Sequence, residues 1–143
     1  MKYAEVLIYQ TSFKILIINQ IKPITMNLTK VLETAIANKG ISYSISTGNY
    51  NVTTGYMVSI QGQEWKVNTI NDDILKFYVK HHLNELWDED RFLGIWLNKG
   101  QWYLDVSVNV EDLDEALRLG KNNNQIAIWD CAKAEEIRLT DEA

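Results

Sequence analysis

The sequence has little cysteine, proline or basic charge. One cysteine and one proline among 143 residues leave no internal disulfide and no proline-rich linker. The 14 Lys and Arg residues are outnumbered by 19 Asp and Glu residues, and the formal net charge is −5. This balance argues against a broad basic surface that binds nucleic acid without regard to sequence. Since 46% of the residues are hydrophobic, a chain of this length can bury a core without cross-links.

Long hydrophobic runs are also missing. The first 25 residues are rich in Ile and Leu, but their longest apolar runs, 6–9 and 15–18, are separated by Gln, Thr, Ser and Lys. Such runs are too short for the apolar region of a secretory signal and far too short to span a bilayer. The lone Cys131 fits a reducing compartment. We therefore predict a cytoplasmic protein that does not associate with membranes.

Sequence motifs that identify enzymes are missing as well. Gly48 and Gly55 are seven residues apart and no lysine follows them, so neither the Walker pattern nor the dinucleotide-binding glycine pattern is present. There is also no Gly-x-Ser-x-Gly sequence. The adjacent His81 and His82 point about 100° apart on a helix and cannot face one metal together. The acidic run 88–90 is interpreted as a solvated helix end, and the acidic cluster within 111–115 as negative charge on the first turn of a helix, which the helix dipole favours. The sequence indicates no catalytic residue, metal ligand or cofactor, and it favours a non-enzyme without excluding an enzyme.

Apolar periodicity predicts three helices, over residues 27–39, 72–87 and 111–119. Gly40 stands where a left-handed residue would end the first helix. Asn71 is the expected N-cap of the second. The third has the capping-box spacing of Asp112 and Glu115, with Gly120 as its expected stop.

Runs of β-branched and aromatic residues predict an antiparallel sheet, most clearly a hairpin over residues 92–109 that turns at Lys99 and Gly100. A two-residue loop there puts the apolar residues of both strands on one face, whereas a slip of one residue would not. The expected pairs are Leu97 with Trp102, Ile95 with Leu104 and Leu93 with Val106. Further strands are expected within 42–46, 54–60, 125–130 and 137–139.

These elements predict a single α+β domain over residues 26–143. Its antiparallel sheet is centred on the 92–109 hairpin and the 125–130 strand, and the three helices cover one or both faces. Residues 1–25 are expected to form an N-terminal extension with one or two short strands. The extension holds three lysines and one glutamate, so a net charge of −7 lies on the domain. That charge favours a protein partner over nucleic acid.

The second face of the hairpin carries the candidate binding site. Trp96, Tyr103, Asp105 and Ser107 share this face, and Asp130 ends a neighbouring strand. Trp and Tyr dominate the energetics of interfaces, so aromatic residues beside a carboxylate are typical of a ligand or partner site. A structural alternative is favoured over this reading. In it, a helix covers the face and Asp105 accepts a hydrogen bond from a backbone amide.

The segments that carry a family resemblance are spread over about four fifths of the chain. They are 42–44 with 47–48, 54–59, 92–96, 103–107 and 123–130. On these segments the chain from Met26 onward resembles an uncharacterised family of small proteins found in bacteriophages, plasmids and other bacterial mobile elements. The resemblance implies a bacterial host cytoplasm. It also implies a start at Met26, which makes residues 1–25 either a native extension or translated upstream sequence.

Three classes of function stay open on the sequence. The first, which the acidic charge and the resemblance favour, is a small protein that binds a host or phage protein, for example an antagonist of host defence such as an anti-CRISPR protein. The second is a ligand- or nucleotide-binding domain, or an enzyme, that uses Trp96, Tyr103 and Asp105. The third is an accessory phage protein that assembles with itself as a homo-oligomer. A concave pocket on this face would favour the second class.

Overall fold

The computed structural model describes residues 27–140, which form a curled antiparallel sheet with four helices. The predicted α+β class is confirmed. The strands predicted within 1–25 lie outside the described residues. No helix between residues 27 and 140 is both long enough and apolar enough to cross a membrane.

The sheet has seven strands and is built around two long central ones. In chain order the elements are α1 (27–38), β1 (Gly40–Tyr43), β2 (Tyr56–Ser59), β3 (Trp65–Val67), α2 (Asp72–His81), α3 (Leu83–Leu86), β4 (Arg91–Asn98), β5 (Gln101–Val110), α4 (Leu113–Asn122), β6 (Ala127–Asp130) and β7 (Glu135–Arg138). The strand order is β1-β4-β5-β2-β6-β7, and β3 pairs with β5. All pairings are antiparallel. The sheet is therefore centred on the β4–β5 hairpin, as predicted.

The hairpin has the predicted register. Leu97 pairs with Trp102, Ile95 with Leu104 and Leu93 with Val106. Both loop residues have positive φ, 50° at Lys99 and 79° at Gly100, as a two-residue turn of the kind that matches strand twist requires. The apolar side chains therefore share one face, and the aromatic and polar side chains share the other.

The four helices all pack against the apolar face. Side chains of α1, α2 and α3 join those of β4 and β5 in the main core, which includes Leu28, Val31, Ala35, Leu75, Tyr78, Leu86, Leu93, Ile95, Leu104 and Val106. A second cluster seats α4 on β2 and β6 through Ala116, Val58 and Ile128. Each of these three side chains is buried. The helices thus lie on one side of the sheet, which leaves the opposite face to the site described below.

The predicted helix over 72–87 is interrupted at His82. Asn71 caps it as predicted, with its side chain accepting a hydrogen bond from the backbone of Ile74. The imidazole Nδ1 of His82 lies 2.9 Å from the carbonyl oxygen of Tyr78. The backbone N–H of His82 donates to both Tyr78 and Val79, in a residue with φ −114° and ψ 18°. This local bonding ends α2, and α3 begins at the next residue.

Two glycines differ from their predicted roles as helix ends. Lys39, with φ 63°, takes the left-handed position after α1, and Gly40 begins β1 instead. Gly120 lies inside α4, which extends to Asn122. A Cβ at Gly120 would crowd Leu139 and Ile128, so this glycine allows the helix to approach β6 closely. The predicted cap of α4 is confirmed, because the Asp112 side chain accepts from the backbone of Glu115 at 2.9 Å.

The sheet curls until its far strands approach each other. The guanidinium of Arg138, on the outer strand β7, donates to the Asn98 side-chain oxygen at the end of β4, at 2.7 Å. In a flat sheet these strands, four positions apart, would be separated by roughly 19 Å. The contact therefore shows that the sheet is strongly curled. It places β6 and β7 across from β1 and β4, with a hollow between them.

Candidate ligand-binding groove

The face of the sheet opposite the helices encloses a concave hollow of about 790 Å³, here called the groove. Its lining comes from the sheet, the end of α1 and the loop before β2. The side chains and glycines that matter for its chemistry are Ser42, Tyr50, Val52, Met57, Ser59, Gly94, Trp96, Asp105, Ser107, Trp129, Cys131 and Glu136. The volume lies within the range of small-molecule sites, about 300–1,000 Å³.

Asp105 forms the polar floor of the groove. It lies on β5 directly opposite Gly94 of β4, and only 2% of its surface is exposed. The Ser107 hydroxyl donates to Asp105 Oδ1 at 2.7 Å. Side-chain hydrogen bonds from Ser59 and Trp96 also reach the carboxylate. A Cβ at Gly94 would overlap the carboxylate, so the missing side chain is what makes room for it.

Burial sets the electrostatics of this carboxylate. Loss of water raises the pKa of Asp105, and the hydrogen bonds from Ser107, Ser59 and Trp96 oppose that rise. The two ion pairs within residues 27–140 join Arg118 to Glu115 and Arg138 to Glu136, so neither neutralises Asp105. Burying a charge without a counter-ion is costly. Asp105 is therefore a hydrogen-bonded carboxyl group with no cationic partner in this part of the chain.

The negative charge of Asp105 acts on other titratable groups. The pKa of Glu64 is raised first by burial and then by the charge of Asp105, while Lys66 opposes the shift. Burial likewise raises the pKa of Tyr78, with further contributions from Asp105 and Glu64. Both shifts are those expected near a negative potential. Burial is the larger cause of both shifts, and the charge of Asp105 adds to each of them.

The raised pKa predicts a pH dependence of stability. Folded Asp105 holds its proton to higher pH than the unfolded chain does, so its contribution to stability is full at low pH and is lost as pH rises through the folded pKa. The free energy of unfolding of wild type relative to Asp105→Asn should therefore fall with rising pH and then level off. Urea denaturation of both proteins between about pH 3 and pH 8 measures this. A difference that stays constant with pH would contradict it.

An aromatic pair forms the wall next to Asp105. The Trp96 and Tyr103 rings stack with centroids 4.7 Å apart and planes at 27°. Tyr103 is buried, and Lys66 Nζ lies 5.5 Å from the centre of its ring. Trp96 lines the groove and is half-buried. Tyr103 therefore stacks against Trp96, and of the two rings it is Trp96 that lines the groove.

The other end of the groove is apolar. Met57, Phe92 and Cys131 pack together with Val52 at their edge. Trp129, paired with Met57 across β2 and β6, lines the groove and keeps 41% of its surface exposed. Burial raises the pKa of the Cys131 thiol, and the charge of Asp130 adds to the rise, so this cysteine is held as a neutral thiol. This end offers apolar contact, whereas the Asp105 end offers hydrogen bonding.

The structure brings together three of the five predicted site residues, Trp96, Asp105 and Ser107. Tyr103 stacks against Trp96 but does not line the groove. Asp130 lies outside the groove, and its Oδ1 accepts from the backbone of Ala132 and Lys133 in the turn after β6. Asp130 is therefore a turn-stabilising residue in this structure.

The structural alternative for the hairpin face is not found among the described residues. The helix contacts in the two core clusters lie on the other face of the sheet. The hydrogen bonds to the Asp105 side chain come from hydroxyl groups and an indole rather than from a backbone amide. The aromatic and polar face of the hairpin is thus the floor of a groove.

Sequence reasoning missed several residues of the groove, including Ser59, Trp129 and Tyr50. The alternation of Met57, Val58 and Ser59 does mark a two-faced strand. The alternation alone does not indicate which strand pairs with this one, because the contact of Ser59 with Ser107 joins residues that are 48 positions apart in the sequence. Tyr50 lies in an irregular segment with no periodicity to interpret.

The histidines lie away from the groove. His81 is exposed, His82 is buried, and their ring centroids are 6.4 Å apart. Residues 27–140 contain no group of three or more His, Cys, Asp or Glu placed to hold a metal ion. His82 instead stacks on Tyr78, with centroids 4.2 Å apart, where it supports the break between α2 and α3.

Comparisons with known proteins give no match: no family model, no curated protein and no solved structure corresponds to this chain. The groove is therefore interpreted from its own geometry.

Proposed function

We propose that this protein is a small-molecule-binding domain whose site is the groove. The observation that carries the proposal is the position of Asp105, a buried carboxyl group on the floor of a hollow of about 790 Å³. Sites for small molecules combine an apolar or aromatic lining with a few converging polar groups. The groove has both, with Trp96, Met57 and Trp129 as lining and Asp105 and Ser107 as polar groups.

Trp129 provides the sharpest test. Replacing it by alanine removes an exposed ring from the groove wall, so affinity for a neutral aromatic fragment should fall about tenfold while the fold is retained. Trp87 is the matched control, because 43% of it is exposed against 41% of Trp129 and it is absent from the residues found lining the groove. Titration of ¹⁵N-labelled protein with 2-phenylethanol, followed by amide shifts, measures both affinities.

The expected shifts lie on β2, β4, β5 and β6, and Trp87→Ala should bind the fragment as the wild type does. The proposal fails if the groove amides do not move at any fragment concentration. It also fails if Trp129→Ala and Trp87→Ala weaken binding equally, because the fragment would then bind exposed aromatic rings in general.

A second candidate function is attachment to a host or phage protein, which the acidic charge and the mobile-element resemblance favour. Tyr50 and Trp129 are exposed aromatic residues among those lining the groove. Such residues are frequent anchors of protein interfaces. A partner protein would be expected to bury both rings at once and to shift amides well beyond the groove, which distinguishes it from a small ligand in the same titration.

A further inference from the structure

We infer that the ligand of the groove is an amphipathic organic cation, with an ammonium or guanidinium head at Asp105 and an apolar body directed toward Met57 and Trp129. This inference rests on the proposed function and adds the chemical class of the ligand. It follows from three features of the groove: the charge on its floor, the order of polar and apolar groups along it, and the pairing of its other charges.

The charge on the floor has no protein cation to neutralise it in the described part of the chain. The hydroxyl and indole donors on Asp105 stabilise its charged form, yet they supply no positive charge. A ligand cation with N–H donors would provide both the missing positive charge and hydrogen bonds. Its hydrogen bonds to the carboxylate would be stronger than those of a neutral donor. An anionic ligand would instead be repelled.

The order of residues along β5 gives the ligand its shape. Asp105, Ser107 and Asn109 occupy alternate positions on the groove face, and Asn109 pairs with Met57. At a rise of about 3.3 Å per residue, the carboxyl and the apolar end are roughly 13 Å apart. A ligand that spans part of this distance places its head at one end and its apolar body at the other. Trp96 stands beside the head, where a ring face also attracts a cation.

The other charged side chains near the groove are less suited than Asp105 to bind a ligand cation. They also do not form a site for a ligand anion. Glu136 is already paired with Arg138, at 3.0 Å between Oε1 and Nε. Arg138 also donates to Asn98, so its guanidinium is engaged on two sides. Lys39 lines the groove from an exposed turn between α1 and β1. Asp105 is the buried charge left for a ligand.

Three probes of one shape test the inference: 2-phenylethylammonium, 2-phenylethanol and 3-phenylpropanoate, titrated at constant ionic strength and followed by amide shifts and calorimetry. We expect the ammonium to bind at least about tenfold more tightly than the alcohol, and the carboxylate to bind more weakly than either. Equal affinity for the ammonium and the alcohol would overturn the cation inference and leave the proposed function standing. Absence of binding by all three would overturn both.

Variants locate the charge that the cation recognises. Asp105→Asn should lower the ammonium affinity about tenfold more than it lowers the alcohol affinity, whereas Glu136→Gln should keep the ratio of the two affinities within about twofold of the wild-type ratio. An equal loss of ammonium preference in the two variants would overturn the assignment to Asp105. The folded state of each variant is checked first by its near-UV circular dichroism.

A pH titration of the wild type keeps the inference testable if Asp105→Asn does not fold. Ammonium affinity should rise with pH as Asp105 loses its proton, and alcohol affinity should not. The charged or titratable groups to be considered are Glu64 and Lys66 beside β3, Tyr78 on α2, Cys131 after β6, and Glu136 and Arg138 on β7. If the ammonium affinity of Glu64→Gln rises with pH as that of the wild type does, the rise is assigned to Asp105. A Glu64→Gln variant without this rise, or a wild type whose ammonium affinity does not change with pH, would contradict the inference.

Discussion

Replacement of Gly94 by alanine should lower the free energy of unfolding by about 3 kcal/mol. The new Cβ would overlap the Asp105 carboxylate, which cannot move aside without breaking its hydrogen bonds to Ser107, Ser59 and Trp96. Forcing one carbon into a filled interior costs about 1–3 kcal/mol, and displacing a buried hydrogen-bonded group adds to that cost. Urea denaturation at a fixed pH measures the loss, and the groove should lose affinity for the phenylethyl probes in parallel.

Gly40→Ala is the control for placing a methyl group on the same sheet face. There the nearest atom to a new Cβ is the Ile95 carbonyl oxygen at 3.2 Å, so we expect a smaller loss than at Gly94. A double-mutant cycle with Asp105→Ala identifies the group that is displaced. Once the carboxylate is gone, Gly94→Ala should cost less than about 1 kcal/mol. An unchanged cost in that background would show that something other than Asp105 resists the methyl group.

Replacement of Gly120 by valine should cost about 2–4 kcal/mol. The nearest atoms to a Cβ at this position are a methyl group of Leu139 at 2.6 Å and one of Ile128 at 2.9 Å. Both belong to the cluster that seats α4 on β6. A branched side chain would push the helix away from the sheet and open a gap around Ala116, so overpacking and lost burial add together.

Lys121→Val, one residue further along, is the matched control for Gly120→Val. Lys121 is exposed on the same helix, so valine there costs only its lower helix propensity, a few tenths of a kcal/mol relative to lysine. The free energies of unfolding of the two variants, measured by thermal and urea denaturation, should differ by most of the loss expected for Gly120→Val. Equal stability of the two would mean that α4 can shift on the sheet at little cost.

The local features of this fold could be predicted from the sequence, while the assembly of the groove could not. Side-chain alternation determined the pairing in the β4–β5 hairpin, because a slip would turn Leu93, Ile95 and Leu97 away from the core. Capping residues located the starts of α2 and α4. Those arguments use neighbours along the chain, so a single sequence is enough for them.

Prediction failed where a distant contact overrides a local preference. Gly120 has the local character of a helix stop, yet the close approach of Ile128 and Leu139 gives it a place inside α4. His82 is a local exception: it continues an apolar helical pattern, but its ring bonds to the carbonyl of Tyr78, four residues earlier, and the helix is interrupted there. The groove requires β2 to pair with β5 on one side and with β6 on the other, and no periodicity encodes which strands become neighbours.

The long-range origin of the groove has a consequence for the order of folding. Its floor joins Ser59 to Ser107 across 48 residues, and Arg138 bonds to Asn98 across 40. Closing such loops costs chain entropy before any contact compensates for it, whereas the β4–β5 hairpin closes through two residues. The hairpin can therefore form early with Asp105 still in water. We therefore expect the carboxylate to become buried after the hairpin has formed, so that the polar floor is completed late in folding.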